Sequence, residues 1–346
     1  MTGGGHRGIH TGWAAFAPAL LSSGTVSSRL HRLVPVATLA ALAALAALAL
    51  AAPAPAQAIT IGVAEQQPSF TTSTAFERTR IGHVRIFVGW DAIRSDWQRA
   101  ELDAWFAAVR AAGLTPLVTI AKSRLDPDDL PTPERYRAAI DAFRARFPWV
   151  REFSSWNEAN SCGERTCRRA KLVAAYWRQL RLACPGCTVL AADLVDSPNL
   201  STWVREFRRA ASMPPTRWGL HNYLDANRYR TTYTRAALGA IGSGARLWLT
   251  ETGGLVDRRN ASTTRIPEGF QHAANATGFL FDTIRRVSPR IQRIYFYDWI
   301  APAPPFTWDS AFLSSRLDER RAYRVLRDRL AKLGRAGVLT GRRPAS

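Results

Sequence analysis

Histidine is scarce in this chain, with six in 346 residues, and His6, His10 and His31 fall within the first 58. The other three, His83, His221 and His272, form no H-E-x-x-H and sit in no run of acids with metal-ligand spacing, so a catalytic metal is not expected. No G-x-S-x-G elbow is present for a serine hydrolase, and no G-x-G-x-x-G follows an early strand to cradle a phosphate. No cofactor is therefore expected. Acidic residues are also few, 27 against 47 Lys and Arg, giving a net charge of +20. Such an excess would suit a polyanionic partner. However, the charge is almost all arginine, scattered along helix faces as in "RRAKLVAAYWRQLR", and no basic run is interleaved with stacking aromatics. A solvated arginine-rich surface is the reading, with no nucleic-acid partner. Weak attraction to an acidic cell envelope or acidic polysaccharide stays compatible with it.

The first 58 residues lack acids altogether. Arg29, His31 and Arg32 lead into an Ala/Leu/Val run from Leu33 to Ala52, and "APAPAQA" ends in the small-x-small triplet Ala56-Gln57-Ala58. This is the layout of a signal peptide cleaved after Ala58, with a translation start near Val26 as an option and a retained membrane anchor as the competitor. Without the leader the charge falls from +20 to +17, through loss of Arg7, Arg29 and Arg32. A secreted monomer with no stable membrane insertion is expected. Cysteine is limited to Cys162, Cys167, Cys184 and Cys187, and export makes Cys162–Cys167 and Cys184–Cys187 disulfides the natural pairing. The C-x-x-C pair leaves a redox motif or half a zinc site as alternatives.

From Ile59 the chain carries eight apolar, β-rich runs: "ITIGVAE", "HVRIFVGW", "LTPLVTIA", "VREFSSWNE", "CTVLAADLV", "RWGLHNYL", "ARLWLTETG" and "QRIYFYDWI". Most are nearly continuous in apolar residues, as strands buried on both faces are. Helical periodicity separates them. "SDWQRAELDAWFAAVRAAG" puts Trp97, Leu102, Trp105, Phe106 and Val109 on one side, and "TPERYRAAIDAFRARF" opens with Thr132 and Pro133 at the cap and first turn. Eight β-α alternations predict an α/β fold of the (β/α)8 TIM-barrel type as a single domain over residues 59–340, with 341–346 a frayed tail. A doubly wound open sheet is the structural alternative.

In such a barrel the chemistry lies at the C-terminal ends of the strands. Glutamates finish two runs, Glu158 the fourth and Glu251 the seventh, 93 residues apart. That spacing is three βα units of about 31 residues, which sets both carboxylates on the same rim. Two facing carboxylates are what glycoside hydrolysis requires, one to protonate the leaving oxygen and one to attack or to activate water. Trp156, just before Glu158, is expected to desolvate it and raise its pKa; Glu251, between Thr250 and Thr252, is expected to stay ionised as nucleophile.

"WNEAN" resembles the Asn-Glu motif that ends the fourth strand in the clan A retaining β-glycosidases, and "WLTETGG" resembles that clan's seventh-strand nucleophile segment. The W-N-E-x-N form and short barrel are most similar to family 39 or family 5. The resemblance implies that Glu158 is the acid/base, Glu251 the nucleophile and Asn157 the partner of a sugar 2-hydroxyl. It also implies that Arg85 holds the nucleophile charged, that His221 and Tyr223 border it, and that Trp299 lies under the sugar ring. Trp90 is a further candidate platform, because aromatic faces stack on pyranose C–H faces. Lys122 departs from the pattern, standing where many clan members present a histidine or a neutral polar group. The expected partner is a carbohydrate substrate, and a non-catalytic glycan-binding barrel is the rival from another class.

Overall fold

The computed structural model describes residues 58–259 and 265–344. The expected leader, Ala58 apart, lies outside the described residues. Among those residues no helix is long and apolar enough to cross a membrane.

Each of the eight runs contains a strand: β1 Ile59–Ala64, β2 His83–Gly89, β3 Thr115–Ala121, β4 Glu152–Ser154, β5 Thr188–Leu190 with β6 Asp193–Val195, β7 Arg217–His221, β8 Arg246–Thr252 and, after the short β9 Asp257–Arg258, β10 Ile291–Tyr297. All pairings among these barrel strands are parallel, in the order β5-β4-β3-β2-β1-β10-β8-β7-β6. β5 and β6 are two halves of one stave, interrupted at Ala191 and Ala192. Ala191 N–H donates to the Arg217 carbonyl (2.9 Å), the Ala192 carbonyl accepts from Gly219 N–H (2.9 Å), and Asp193 N–H donates to the Trp156 carbonyl (2.9 Å). This stave joins β4 to β7, and the sheet curls into a barrel of eight staves.

Two apolar groups follow from the strand period of two. Ala64, Leu117, Leu190, Trp248 and Tyr295 fill the barrel interior. The alternate positions, among them Val84, Ile86, Val118, Phe153, Leu220, Leu249 and Phe296, pack outward against the helices. Gly62 makes room for Tyr295, because a Cβ there would stand 2.6 Å from its Cε1.

The helices form where the periodicity placed them: Asp96–Ala111, Pro133–Arg146, Ala170–Ala183, Leu200–Ala210, Thr232–Ala240, Phe270–Asp282 and Arg321–Arg335. Thr132 caps its helix by accepting from Arg135 N–H at 3.2 Å. Trp97, expected on the buried side of the first of these helices, is instead 45% exposed, with Arg124 stacked 4.3 Å over its ring. Of the tail expected to fray from residue 341, residues 345–346 lie outside the described residues and the part before them is bonded. Arg342 bridges to Ile81, and Arg343 N–H donates to the Arg80 carbonyl at 2.9 Å, so the chain is held as far as Arg343. β11 Trp308–Asp309 pairs antiparallel with β9 above the end of β8, and β12 Leu339–Thr340 adds to the outside of β1.

Candidate active site

Arg85 organises the mouth of the barrel. It points inward from β2, is wholly buried, and spends its guanidinium on residues from four other staves. Nε donates to Thr119 Oγ1 (3.1 Å), Nη1 to Glu251 Oε2 (2.8 Å), and Nη2 to Asn157 Oδ1 (2.8 Å) and Asp193 Oδ2 (2.9 Å). Burial works against the charge on Arg85, but Asp193 and Glu251 outweigh it and hold the guanidinium more firmly protonated than usual.

Glu251 lies near the end of β8, where Tyr223 OH donates to its Oε1 at 3.1 Å. Glu158 follows β4 across the mouth, in a left-handed backbone conformation with φ 44°. Such a conformation is uncommon for a residue with a Cβ and marks strain at a place where the chain must present one side chain. Its Oε1 accepts from His221 Nδ1 at 3.0 Å, and its side chain remains 31% exposed to the cleft. Glu158, His221 and Glu251 each bring a polar atom to within 4.8 Å of the others. Two carboxylates and an imidazole are donors a cation would accept. Here, though, the Arg85 guanidinium already stands on Glu251 Oε2, so the fit to a metal ion is poor.

His221 lies among three carboxylates, with Nδ1 on Glu158, Nε2 3.7 Å from Asp193 Oδ2, and Glu251 Oε2 3.8 Å from Nδ1. Burial opposes its charge, Glu251's charge and the contacts with Asp193 and Glu158 favour it, and the balance raises its pKa to about 9. Nε2 is also 3.2 Å from Arg85 Nη2, a repulsive approach when both carry protons and a hydrogen bond only in the neutral tautomer that holds its proton on Nδ1.

For Glu158 the sequence expectation is corrected. Burial does push its carboxyl up, but the His221 hydrogen bond, followed by the charges of His221, Arg85 and Lys122, brings it below the usual value. Trp156 takes no part. It turns outward, fully buried, and stacks on Tyr176 at 5.2 Å.

Arg85, Asn157, Glu158, His221, Tyr223 and Glu251 are thus brought together, and the two proposed platforms are not. Trp299 is fully buried in the helix layer, edge-on to Phe76 (5.4 Å), Phe312 (5.6 Å) and Tyr323 (5.7 Å). Trp90 also faces outward, with Arg135 4.8 Å over its ring. The aromatics at the mouth are Tyr297, which ends β10 partly exposed and is influenced by Glu251's charge, and Trp308, which meets Tyr223 edge-on at 4.7 Å.

Sequence reasoning also missed Asp193. It is fully buried, accepts from Arg85, Thr119 Oγ1 (2.8 Å) and Ser154 Oγ (2.8 Å), and despite its burial is held below the usual carboxylate range, chiefly by Arg85. Its signal was an aspartate inside the apolar run "CTVLAADLV". Gly219 on the neighbouring stave leaves it room: a Cβ there would stand 2.6 Å from Thr250 Oγ1 and collide with the Asp193 carboxylate.

Lys122 clamps one wall. Its Nζ bonds Glu164 Oε1 (2.9 Å) and the Gly163 carbonyl (3.0 Å), both inside the loop closed by the Cys162–Cys167 disulfide. Cys184 pairs with Cys187 where the helix Ala170–Ala183 returns to β5, at the opposite end of the barrel.

No protein-family model matches this chain, and no curated protein sequence matches it. Solved structures do resemble it. A GH39 β-xylosidase from Caulobacter crescentus superposes with a TM-score of 0.53 at 17% identity, over 80% of this chain and 71% of that one. Xylanase 10B from Thermotoga maritima gives 0.55 at 12% identity, over 80% and 96%. A GH128 endo-β-1,3-glucanase from Amycolatopsis mediterranei, in complex with laminaritriose, gives 0.50 at 14% identity, over 79% and 99%. The likeness establishes a parallel α/β barrel of the kind found in clan A glycoside hydrolases. The chemistry of this chain is argued from its own site.

Proposed function

We propose that this chain is a secreted retaining β-glycosidase, with Glu251 as nucleophile and Glu158 as acid/base, acting on a β-linked oligo- or polysaccharide. The observation that carries the reading is the approach of the Glu158 and Glu251 carboxylates to within 4.8 Å across the barrel mouth. Inverting pairs stand roughly 6.5–9.5 Å apart to admit a water, whereas retaining pairs stand at about 5–5.5 Å. Secretion rests on the leader pattern before Ile59.

Glu251, fixed by Arg85 and Tyr223, attacks the anomeric carbon as the bond to the leaving oxygen breaks and Glu158 delivers its proton to that oxygen. In the free site Glu158 is an anion beside a protonated His221. Proton transfer along the 3.0 Å Nδ1···Oε1 contact makes Glu158 the acid and leaves a neutral imidazole that keeps its proton on Nε2, the nitrogen 3.7 Å from Asp193 Oδ2. In the second half Glu158 takes a proton from water, which attacks the glycosyl-Glu251 ester and releases the sugar with retained configuration. Asn157, bonded to Arg85 through Oδ1, has Nδ2 available for a sugar hydroxyl.

The purified chain should cleave aryl β-glycosides or a β-linked polysaccharide from a broad panel, and proton NMR should show the β-anomer as first product. Glu251→Gln should lower kcat by at least about 10³-fold. First release of the α-anomer, or full activity in Glu251→Gln, would overturn the reading. Binding without turnover across the panel would favour a glycan-binding barrel instead.

A further inference from the structure

Glu158 sits in a backbone conformation that costs free energy, φ 44°, and such a conformation persists only where its surroundings over-determine it. The neighbouring residues are fixed by the staves. Asn157 N–H donates to the Ile120 carbonyl (2.7 Å) and Ala159 N–H to the Asp193 carbonyl (2.8 Å). Asn160 ties to β6, its Oδ1 accepting from Val195 N–H (2.8 Å) and its Nδ2 donating to the Val195 carbonyl (3.0 Å). The Glu158 carbonyl accepts from Ser161 N–H at 2.7 Å, where the loop closed by the Cys162–Cys167 disulfide begins. Thr166 Oγ1 returns from the far side of that loop to the Ala159 carbonyl at 2.8 Å. A shift of residues 161–167 is therefore passed to the acid/base segment through two carbonyls, those of Glu158 and Ala159.

Lys122, just past β3, holds this loop from the other side through Glu164 Oε1 and the Gly163 carbonyl. Glu164 is buried, and its Oε2 has no hydrogen-bond partner among the described residues, so Lys122 is the cation that compensates it. A second ion pair spans the same gap, Arg165 with Asp128, but both partners are exposed and such pairs add little. Burial pushes the Glu164 carboxyl above its usual value against the pull of Lys122, and the charge of Glu158 adds to the push. The clamp thus lies within electrostatic reach of the acid/base.

From these contacts we infer that Lys122 and Glu164 are positioning residues for the acid/base: the disulfide-closed loop they clamp keeps the Glu158 carboxylate on His221. The inference rests on the role proposed for Glu158 above. Released from Lys122, the loop no longer over-determines the conformation of Glu158; its backbone relaxes, and the 3.0 Å contact with His221 Nδ1 opens. Protonation of the leaving oxygen then suffers. Attack by Glu251 does not, because Arg85 and Tyr223 fix that carboxylate and neither bonds the loop. The Cys184–Cys187 disulfide, at the opposite end of the barrel, has no such path to the site.

Two double variants test it at different points. Lys122→Met with Glu164→Gln removes the clamp without leaving a buried charge, and Cys162→Ser with Cys167→Ser opens the loop; if one fails to fold, the other decides. Cys184→Ser with Cys187→Ser is the control. The first readout is leaving-group dependence on aryl β-glycosides of the sugar that the wild type accepts, since dinitrophenolate departs without a proton and phenolate needs one. Clamp and loop variants should lose at least about tenfold in kcat/KM on the phenyl glycoside and less than about threefold on the dinitrophenyl glycoside, in the direction of Glu158→Ala. The control should match wild type on both. The second readout needs no substrate. The His221 imidazole, faced by Glu158, Asp193, Glu251 and Arg85, should titrate by NMR near its raised value of about 9 in wild type, and toward about 8 or below once Glu158 is drawn off Nδ1. Equal losses on both glycosides would mark a general structural role and overturn the inference, as would a His221 titration unchanged in both variants. A leaving-group split in Glu158→Ala with none in the clamp and loop variants overturns this inference alone. Absence of the split in Glu158→Ala itself overturns the role proposed for Glu158 and the inference with it.

Discussion

Replacing Arg85 by methionine tests the electrostatic frame of the site. Methionine keeps much of the apolar stem but removes the charge and the donors that reach Thr119, Glu251, Asn157 and Asp193 at 2.8 to 3.1 Å. Asp193 is then a fully buried carboxylate without its guanidinium, although Thr119 and Ser154 still donate to it at 2.8 Å. Breaking a buried ion pair by removing one partner costs about 3–5 kcal/mol. The surviving hydroxyl donors and His221, 3.7 Å from Asp193, put the expectation at the lower end, about 3 kcal/mol at pH 7. Against a typical domain stability of about 5–15 kcal/mol the variant should fold, with a midpoint lowered by several degrees.

The pH dependence carries the sharper test. In the wild type Asp193 has a depressed pKa, so its contribution is present above the unfolded carboxylate value and is lost only as pH falls through its folded value. Without Arg85, burial dominates and the folded pKa moves above the unfolded one, so the variant takes up a proton on acidification and is relieved. The deficit relative to wild type should therefore shrink from pH 7 to pH 5. Urea unfolding followed by far-UV circular dichroism at both pH values measures it directly. Adding Asp193→Asn to Arg85→Met should recover part of the loss at pH 7. A deficit under about 1 kcal/mol at pH 7, or one that widens in acid, would refute the reasoning.

Three further outcomes are expected. His221, raised to about 9, contributes stability that is fully present below its unfolded value near 6.5 and is lost as pH rises through about 9, on the order of 3 kcal/mol; wild-type unfolding free energy should fall across that window, and His221→Gln should flatten the slope. Trp299→Ala, in the helix layer, should cost about 3–5 kcal/mol, whereas Trp308→Ala should melt close to wild type and raise KM on any substrate that is turned over; equal melting temperatures for the two would contradict the placement. Gly219→Ala drives a Cβ into the Asp193 carboxylate and should lower stability by about 1–3 kcal/mol or more, measured by thermal melting.

The staves were legible because a parallel strand covered on both faces has to be apolar almost throughout, and all eight runs satisfied that demand. Side-chain direction was partly legible too. Counting by two from Arg85 sends Val84, Ile86, Val88 and Trp90 outward, which removes Trp90 from the cleft without any coordinates. The same count along β10 sends Arg293, Tyr295 and Tyr297 inward and selects Tyr297 as the aromatic at the mouth. Parity fails where a strand stops. β4 ends at Ser154 and β10 at Tyr297, so Trp156 and Trp299 lie beyond the ladder and turn into the helix layer although alternation would send them in.

The charge state of Glu158 was illegible for a deeper reason. Its sequence neighbours are apolar or neutral, and by themselves they argue for a raised pKa. What lowers it comes from His221 on β7, Arg85 on β2 and Lys122 just past β3, residues between 36 and 73 positions away that meet only when the barrel closes. A strand pattern fixes which atoms reach the rim. The sign of a pKa shift there is set by the sum of charges from several staves, and it becomes readable only once their register is known. In this chain that register converts an expected neutral acid into one half of a shared-proton pair with His221, so the acid/base behaviour of Glu158 has to be assigned to the pair.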